Sequence, residues 1–376
     1  MFATEYSKIL QLVEAVNPVK YGATRNYIDG AVTQLSPYIS RGIISVKQVA
    51  QPVLSKGYNF YEIETFIKEL AWREYFQQVW IAKGNDINGD LKQPQANVET
   101  HSIPATIINH NTGISAIDNA IKSLYATGYM HNHLRMYVAS LTCNIARSHW
   151  LAPAQWLYYH LLDADWASNA LSWQWVAGSF SSKKYYANQA NINTFCYTSQ
   201  HNTFLDTSYE HLQKMAIPEI LTATTNLSLT SNLPKAVPCI LDKHLPTCVY
   251  NFYNLDCNWL NDIEANRILL LEPSFFKQYP VSDNTIEFVL SLSKNIKKIQ
   301  VFVGEFEDLA LQVDAQKIHF KEHPANRHYT GTAHNRTWLF EAVSGYYPSF
   351  FKYWKNCEKQ LRQIINSQPS AKNYIT

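Results

Sequence analysis

The strongest constraint on what this chain can fold into is a run of acids, amides and arginine set among tryptophans between residues 127 and 175. Two segments carry it, TGYMHNHLRM (127–136) and LLDADWASNALSWQW (161–175). Asn132 and Arg135 are three apart and meet on one face of a helix. The spacing of Asp163, Asp165 and Asn169 is compatible with one local pocket, with Asn169 a turn beyond Asp165. Groups of this kind are costly to bury unless partners satisfy them. On chemistry alone, helix caps and an Arg–Asp pair account for the pattern as well as a ligand site does.

The surroundings read as helical through residue 235. The patterning predicts helices over 6–16, 61–80, 115–124, 131–146 and 153–162, and another through Trp175. Phe66, Leu70, Phe76 and Val79 supply the apolar positions of the second, with Glu69 and Arg73 between them at helical spacing. Pro37 suits the first turn of a further helix. Residues 81–110 are rich in Gly, Asn and Asp and read as connections. From residue 246 the pattern shifts to short apolar runs at 248–253, 268–272 and 299–304, with a helix over 285–293. That order predicts a small α/β unit with a parallel sheet. It lacks GxGxxG and Walker signatures, so a structural layer is expected rather than a second nucleotide site. Residues 336–365 read as C-terminal helix broken at 345–348. The expected domains are therefore 1–235, 246–325 and 326–376.

Charged residues are only 16% of the chain, so its polar surface must rest on Asn, Gln, Ser, Thr and Tyr. A formal net charge of +2 permits a nucleic-acid face without demanding one. The six cysteines form no CxxC pair; the even spacing of Cys239, Cys248 and Cys257 lacks the close ligand pair of a usual metal site, and no metal is expected. Neither a basic-then-apolar leader nor a run of roughly 20 apolar residues occurs, which predicts a cytoplasmic protein with no membrane segment, expected to be a monomer.

Taken together, the two segments closely resemble the FAD-binding region of DNA photolyases and cryptochromes. TQLSPYISRGIIS (33–45) resembles the family's phosphate-contacting loop. FIKELAWREYF (66–76) resembles a helix lining the flavin and substrate cavity, and NTGISAIDNAI (111–121) is a further family-like stretch. The resemblance spans residues 21–195. It implies a mainly α fold: a photolyase-like helical FAD-binding domain followed by the α/β unit and C-terminal helices. It also implies an FAD held by Tyr21, Thr33, Leu35, Ser36, Phe66, Glu69, Arg73, Asn132, Arg135, Asp163, Asp165 and Asn169. Thr33, Leu35 and Ser36 would meet the phosphates, since hydroxyls and N–H groups at a helix start bind anions. Arg135 would stabilise negative charge on the reduced ring, Asp165 would accept a hydrogen bond, and Asn169 would lie near ring N5.

By the same resemblance, Trp173 and Trp150 match two members of an electron-transfer chain; the stretch 83–97 contains no third tryptophan, and Trp156, Trp166, Trp80 or a tyrosine are the alternatives. Glu69, Trp72, Met136 and Trp175 match the side that receives a flipped pyrimidine dimer, with Glu69, Asn169, Trp173 and Trp150 carrying the chemistry. Asn132 and Met136 follow the cyclobutane-dimer pattern. The implied activity is light-driven electron transfer from reduced FAD to cyclobutane dimers in single- or double-stranded UV-damaged DNA. The alternative is a blue-light sensor acting on a signalling protein. His133 replaces a common Arg and Ala170 a common Asn. The family's N-terminal α/β antenna domain has no counterpart ahead of residue 21, so no antenna chromophore is expected.

Overall fold

The computed structural model describes residues 2–367. In chain order the helices α1 (Tyr6–Glu14), α2 (Pro18–Thr24), α3 (Ser36–Ser40), α4 (Val46–Ser55) and α5 (Phe60–Lys83) come first. A short strand β1 (Ile103–Pro104) leads into α6 (Ala105–Ile108), α7 (Ser115–Thr127), α8 (Asn132–Ser140), α9 (Leu151–His160), α10 (Trp166–Ala177), α11 (Gln189–Cys196) and α12 (Tyr209–Leu212). Then follow β2 (Thr224–Thr225), β3 (Thr247–Tyr250), β4 (Asn266–Leu271), α13 (Pro273–Gln278), α14 (Asp283–Ser293), β5 (Ile299–Val303), α15 (Phe306–Ala310), β6 (Ile318–Lys321), β7 (Thr332–His334) and α16 (Phe350–Ser367). The chain packs as two compact units. Of the described residues, one unit takes 2–23, Ala31–Ala82 and 231–367; the other takes Thr24–Gly30 and Lys83–Thr230.

In the first unit, β3 to β7 form a wholly parallel sheet in the order β5-β4-β3-β6-β7. Every residue of β3 and β4 is buried, as strands covered on both faces require. The sheet runs to His334, past the expected boundary at 325, because β6 and β7 add a second side to β3. At the carboxyl ends of β3 and β4 lies a cavity of about 20 Å³ lined by Asn251, Glu272, Asn326 and Tyr329 among others, room for one water molecule. The same unit holds α3 against the loop after β3. Arg41 is fully buried with its guanidinium 3.5 Å from the centre of the Phe252 ring, and its carbonyl accepts from Leu255 N–H at 2.9 Å. Gly42 has φ +64°, and a Cβ there would sit 2.4 Å from the Tyr253 carbonyl oxygen, so no other residue fits.

The 24-residue helix α5 is the spine of this unit. Asn59 and Glu62 cap it reciprocally, the Asn59 N–H donating to Glu62 Oε2 at 2.8 Å and Asn59 Oδ1 accepting from Glu62 N–H at 3.3 Å. Its second half buries Glu74, Gln77 and Gln78, and each finds a partner in the segment before α16. Glu74 accepts from the N–H groups of Leu339 and Phe340, Gln77 Oε1 from Arg336 at 2.6 Å, and Gln78 Oε1 from Gly345 N–H at 3.1 Å. Main-chain donors spent on α5 side chains are not available to a helical ladder. Residues 336–349 are therefore non-helical, and the expected C-terminal helices reduce to α16. That helix buries Phe350, Tyr353, Trp354, Cys357 and Leu361, one stripe at helical spacing.

The second unit is helical around α8, α9 and α10. Gly128 ends α7 with φ +69°, and a Cβ there would come within 2.6 Å of Leu162 Cγ, so the glycine sets how the two motif-bearing segments meet. After α8 the helix widens into a π turn over Leu141–Ile145, where Asn144 donates to the carbonyls of Val176 and Tyr185 at 3.0 and 2.7 Å. Among the described residues no helix is long and apolar enough to cross a membrane.

Candidate functional site

The expected site residues divide between the two units. In the first, Tyr21, Thr33, Leu35, Ser36, Phe66, Glu69, Trp72 and Arg73 come from α2, the start of α3 and α5. Tyr21 meets Phe66 edge-on, with ring centres 5.1 Å apart. Arg73 donates to Ser40 Oγ at 2.9 Å and so ties α5 to α3. Gln34 is left-handed at φ +53° and Leu35 right-handed, so the chain turns sharply into α3. α3 has no side-chain cap, and Thr33 Oγ1 accepts from Leu35 N–H at 3.4 Å. Glu69 and Trp72 lie on α5 half-buried, three residues apart. One face of Trp72 is taken: the Phe350 ring stacks on it with centroids 3.6 Å apart and planes within 9°.

In the second unit, Arg135 grips Asp163 with two bonds, NH1 to Oδ2 and NH2 to Oδ1, both 3.0 Å, while its Nε donates to the Met130 carbonyl at 2.8 Å. Asp163 is nearly fully buried, and the parallel two-point geometry fixes the guanidinium. Asp165 caps α10, accepting from Ser168 N–H at 2.7 Å, and so orients the helix that carries Asn169 and Trp173. Asn169 donates to the Ala154 carbonyl at 2.8 Å, which fixes its amide. Asn132 opens α8 and is exposed, Met136 is half-buried, and Trp175 is exposed beside Tyr185.

His133 is turned inward. Its Nδ1–H donates to the Asn26 carbonyl at 2.8 Å, and the ring packs on Tyr137 and Phe195. Burial holds its pKa below the ordinary value, so near neutral pH the position offers no positive charge for a phosphate. His131 beside it accepts from His133 N–H through Nδ1 and is pushed down to about 4, first by burial and then by His133 and Arg135.

Trp150 and Trp173 are both buried, as are Trp156 and Trp166. The partners of these rings went unseen in the sequence. Trp150 Nε1–H donates to Asp90 Oδ1 and Trp166 Nε1–H to Asn88 Oδ1, both at 2.7 Å, from a stretch that reads only as a connection. No cluster of three metal-ligating side chains occurs among the described residues, and burial pushes the Cys248 and Cys257 thiols up to about 11.

A family model described as the FAD binding domain of DNA photolyase matches residues 66–249. Residues 66–249 are thus similar to the FAD-binding domain of the photolyase and cryptochrome family. FAD is the cofactor. The fixed Arg135–Asp163 pair, with the amides and acids around it in the same unit, is a donor set suited to a polar ring system. Among photolyase and cryptochrome relatives, the deoxyribodipyrimidine photo-lyase of Agrobacterium fabrum is 33% identical over 174 residues, 42% of this chain and 36% of its own length. That of Alkalihalophilus pseudofirmus is 29% identical over 175 residues, 45% of this chain and 36% of its own. A cryptochrome DASH of Ostreococcus tauri is 32% identical over 168 residues, 42% and 30% of the two chains. The chain thus spans about a third of the length of the curated relatives it matches. A bacterial class III photolyase crystal structure from Agrobacterium tumefaciens, 27% identical, aligns with TM-score 0.45 over 50% of this chain and 42% of its own. The family match leaves out Tyr21, Thr33, Leu35 and Ser36, whose assignment rests on the motif and the local geometry.

Proposed function

We propose that the chain repairs cyclobutane pyrimidine dimers in DNA by light-driven electron transfer from reduced FAD. The observation that carries this reading is the pairing of Glu69 and Trp72 one turn apart on α5, inside the family-matched stretch, with Met136 and Trp175 also present. When bound, FAD supplies a light-excitable one-electron donor. The protein's own groups do the rest. Tyr21, Thr33, Leu35, Ser36, Phe66, Arg73, Asn132, Arg135, Asp163, Asp165 and Asn169 are the residues that would hold the cofactor. Arg135, fixed by Asp163, sets a permanent positive charge where negative charge is to be stabilised. Glu69 would hydrogen-bond to the damaged bases. Trp72 and the exposed Trp175 are aromatic surfaces on which unstacked bases would stack, worth about 1–3 kcal/mol per base. A damaged step costs less to unstack than an intact one, which favours the flipped base over its neighbours.

The test is Glu69→Ala in the reduced, FAD-loaded protein on dimer-bearing single- and double-stranded DNA. The variant should retain FAD and lose most of its repair rate. Equal repair by both proteins at saturating damaged DNA would remove Glu69 from the reaction, and no repair by the wild type in either substrate would remove the reading itself.

Two observations favour a second reading, a blue-light sensor acting on a signalling partner. His133 points inward where a DNA-contacting charge is expected, and Phe350 covers one face of Trp72. Light-dependent protection from limited proteolysis without dimer repair would support it.

A further inference from the structure

The tryptophan-free stretch 83–97 holds Trp150 in place. Trp150 is fully buried, and its indole N–H donates to Asp90 Oδ1 at 2.7 Å. Its main-chain N–H donates to Gln95 Oε1 at 2.9 Å, and Gln95 Nε2 donates to the Ser148 carbonyl at 2.8 Å. The carboxylate is itself fixed: Oδ2 accepts from Gln95 N–H at 2.9 Å, and His149 Nε2 lies 3.5 Å from Oδ1. Because His149 Nδ1 accepts from Leu151 N–H at 3.4 Å, the ring proton sits on Nε2, on the Asp90 side. Burial holds His149 below its ordinary pKa despite the pull of Asp90, so no imidazolium cancels the carboxylate's charge.

Other buried indoles of this unit have different partners. Trp166 donates to the Asn88 amide oxygen at 2.7 Å and Trp156 to the Tyr125 hydroxyl at 3.1 Å. An amide or a phenol accepts a hydrogen bond but is a very weak proton acceptor, whereas a carboxylate can take a proton from a donor made acidic. Of these three indoles, Trp150 alone faces a base.

The geometry points to Asp90 as the proton acceptor for Trp150 when that indole gives up an electron. This rests on the proposed role of Trp173 and Trp150 as an electron relay. In that relay one electron would pass from Trp150 to an oxidised Trp173, bound FAD supplying the light-driven one-electron acceptor. The loss makes the indole N–H strongly acidic. Its Nε1–H bond breaks and an Asp90 Oδ1–H bond forms, leaving a neutral indolyl radical beside a neutral carboxylic acid. The electron cannot return without the proton also returning, so the separated charge persists. The charge separation is thereby held at Trp150.

The test is flash photolysis of the FAD-loaded, oxidised protein as wild type, Asp90→Asn and Trp150→Phe. Asparagine keeps an acceptor oxygen toward the indole but cannot take the proton. The wild type should give the neutral tryptophan radical spectrum, with a rise slowed in D₂O. Asp90→Asn should hold the cation spectrum and lose its separated charge about tenfold faster or more, each pKa unit of acceptor strength being worth a factor of ten. A cation spectrum of equal lifetime in wild type and Asp90→Asn would overturn the role of Asp90 while leaving the relay standing. A wild type with no tryptophan radical, or one unchanged in Trp150→Phe, would overturn the relay and Asp90's role with it. The flavin-free protein gives a second readout: the Trp150 Nε1–H proton resonance should lie downfield in wild type and move in Asp90→Asn. If Asp90→Asn lowers the urea midpoint yet keeps the neutral-radical spectrum, Asp90 serves packing alone and the proposal fails.

Discussion

Replacing Arg135 by alanine removes one half of a nearly dry ion pair, and its cost can be bounded from both sides. Both Arg135–Asp163 bonds are 3.0 Å, and the two side chains are 21% and 5% exposed. Breaking a buried pair by deleting one partner costs about 3–5 kcal/mol, because the surviving charge is left without compensation. An upper bound comes from protonation. A carboxyl with an ordinary pKa near 3.9 needs roughly 3 units of displacement to be neutral at pH 7, which caps the penalty at about 4 kcal/mol. The partial exposure of Arg135 lets water reach the vacated site and draws the figure toward the low end. Arg135→Ala should therefore lose about 3 kcal/mol in urea unfolding at pH 7. Arg135→Ala/Asp163→Ala should be more stable than Arg135→Ala alone, since no charge is stranded. The reasoning is refuted if Arg135→Ala costs under about 0.5 kcal/mol, the scale of a surface change, or if the two substitutions add independently.

Glu74 gives a pH signature. Burial raises its carboxyl to about 7 against the opposing pull of the Leu339 and Phe340 N–H groups, Tyr353 and Arg336. A raised folded-state pKa means that the native chain binds the extra proton, so this contribution is complete below the unfolded value near 4.5 and is lost as pH rises toward 7. Stability of Glu74→Gln should change less between pH 4.5 and 7 than that of the wild type; parallel curves would contradict the assignment. Phe350→Leu should uncover the second face of Trp72, raising its accessibility to acrylamide quenching and tightening the binding of dimer-bearing single strands. Unchanged quenching and affinity would show that the stack does not restrict that face.

Much of this was legible because it rests on local rules. The apolar spacing in α5, the glycine stop at Gly128 and the apolar runs of β3, β4 and β5 all depend on residues close in sequence. The pairing of Arg135 with Asp163 could be expected from the chemistry of its motifs. What escaped depends on distant partners. Residues 336–349 carry helix-compatible residues, but α5 side chains bind their main-chain donors. Asp90 sits in a connection without periodicity, and nothing near it in sequence announces the indole it meets 60 residues later. Phe350 likewise reads as the apolar start of a helix until the fold lays it on Trp72.

The central claim is that this chain holds an FAD able to take part in light-driven electron transfer. An absorption spectrum of the gently purified protein, with added FAD if needed, followed by blue illumination of the reduced form with dimer-bearing DNA, tests it most directly. The account predicts a protein-bound flavin spectrum with resolved structure and light-dependent loss of dimers. A protein that neither carries nor takes up FAD would contradict it.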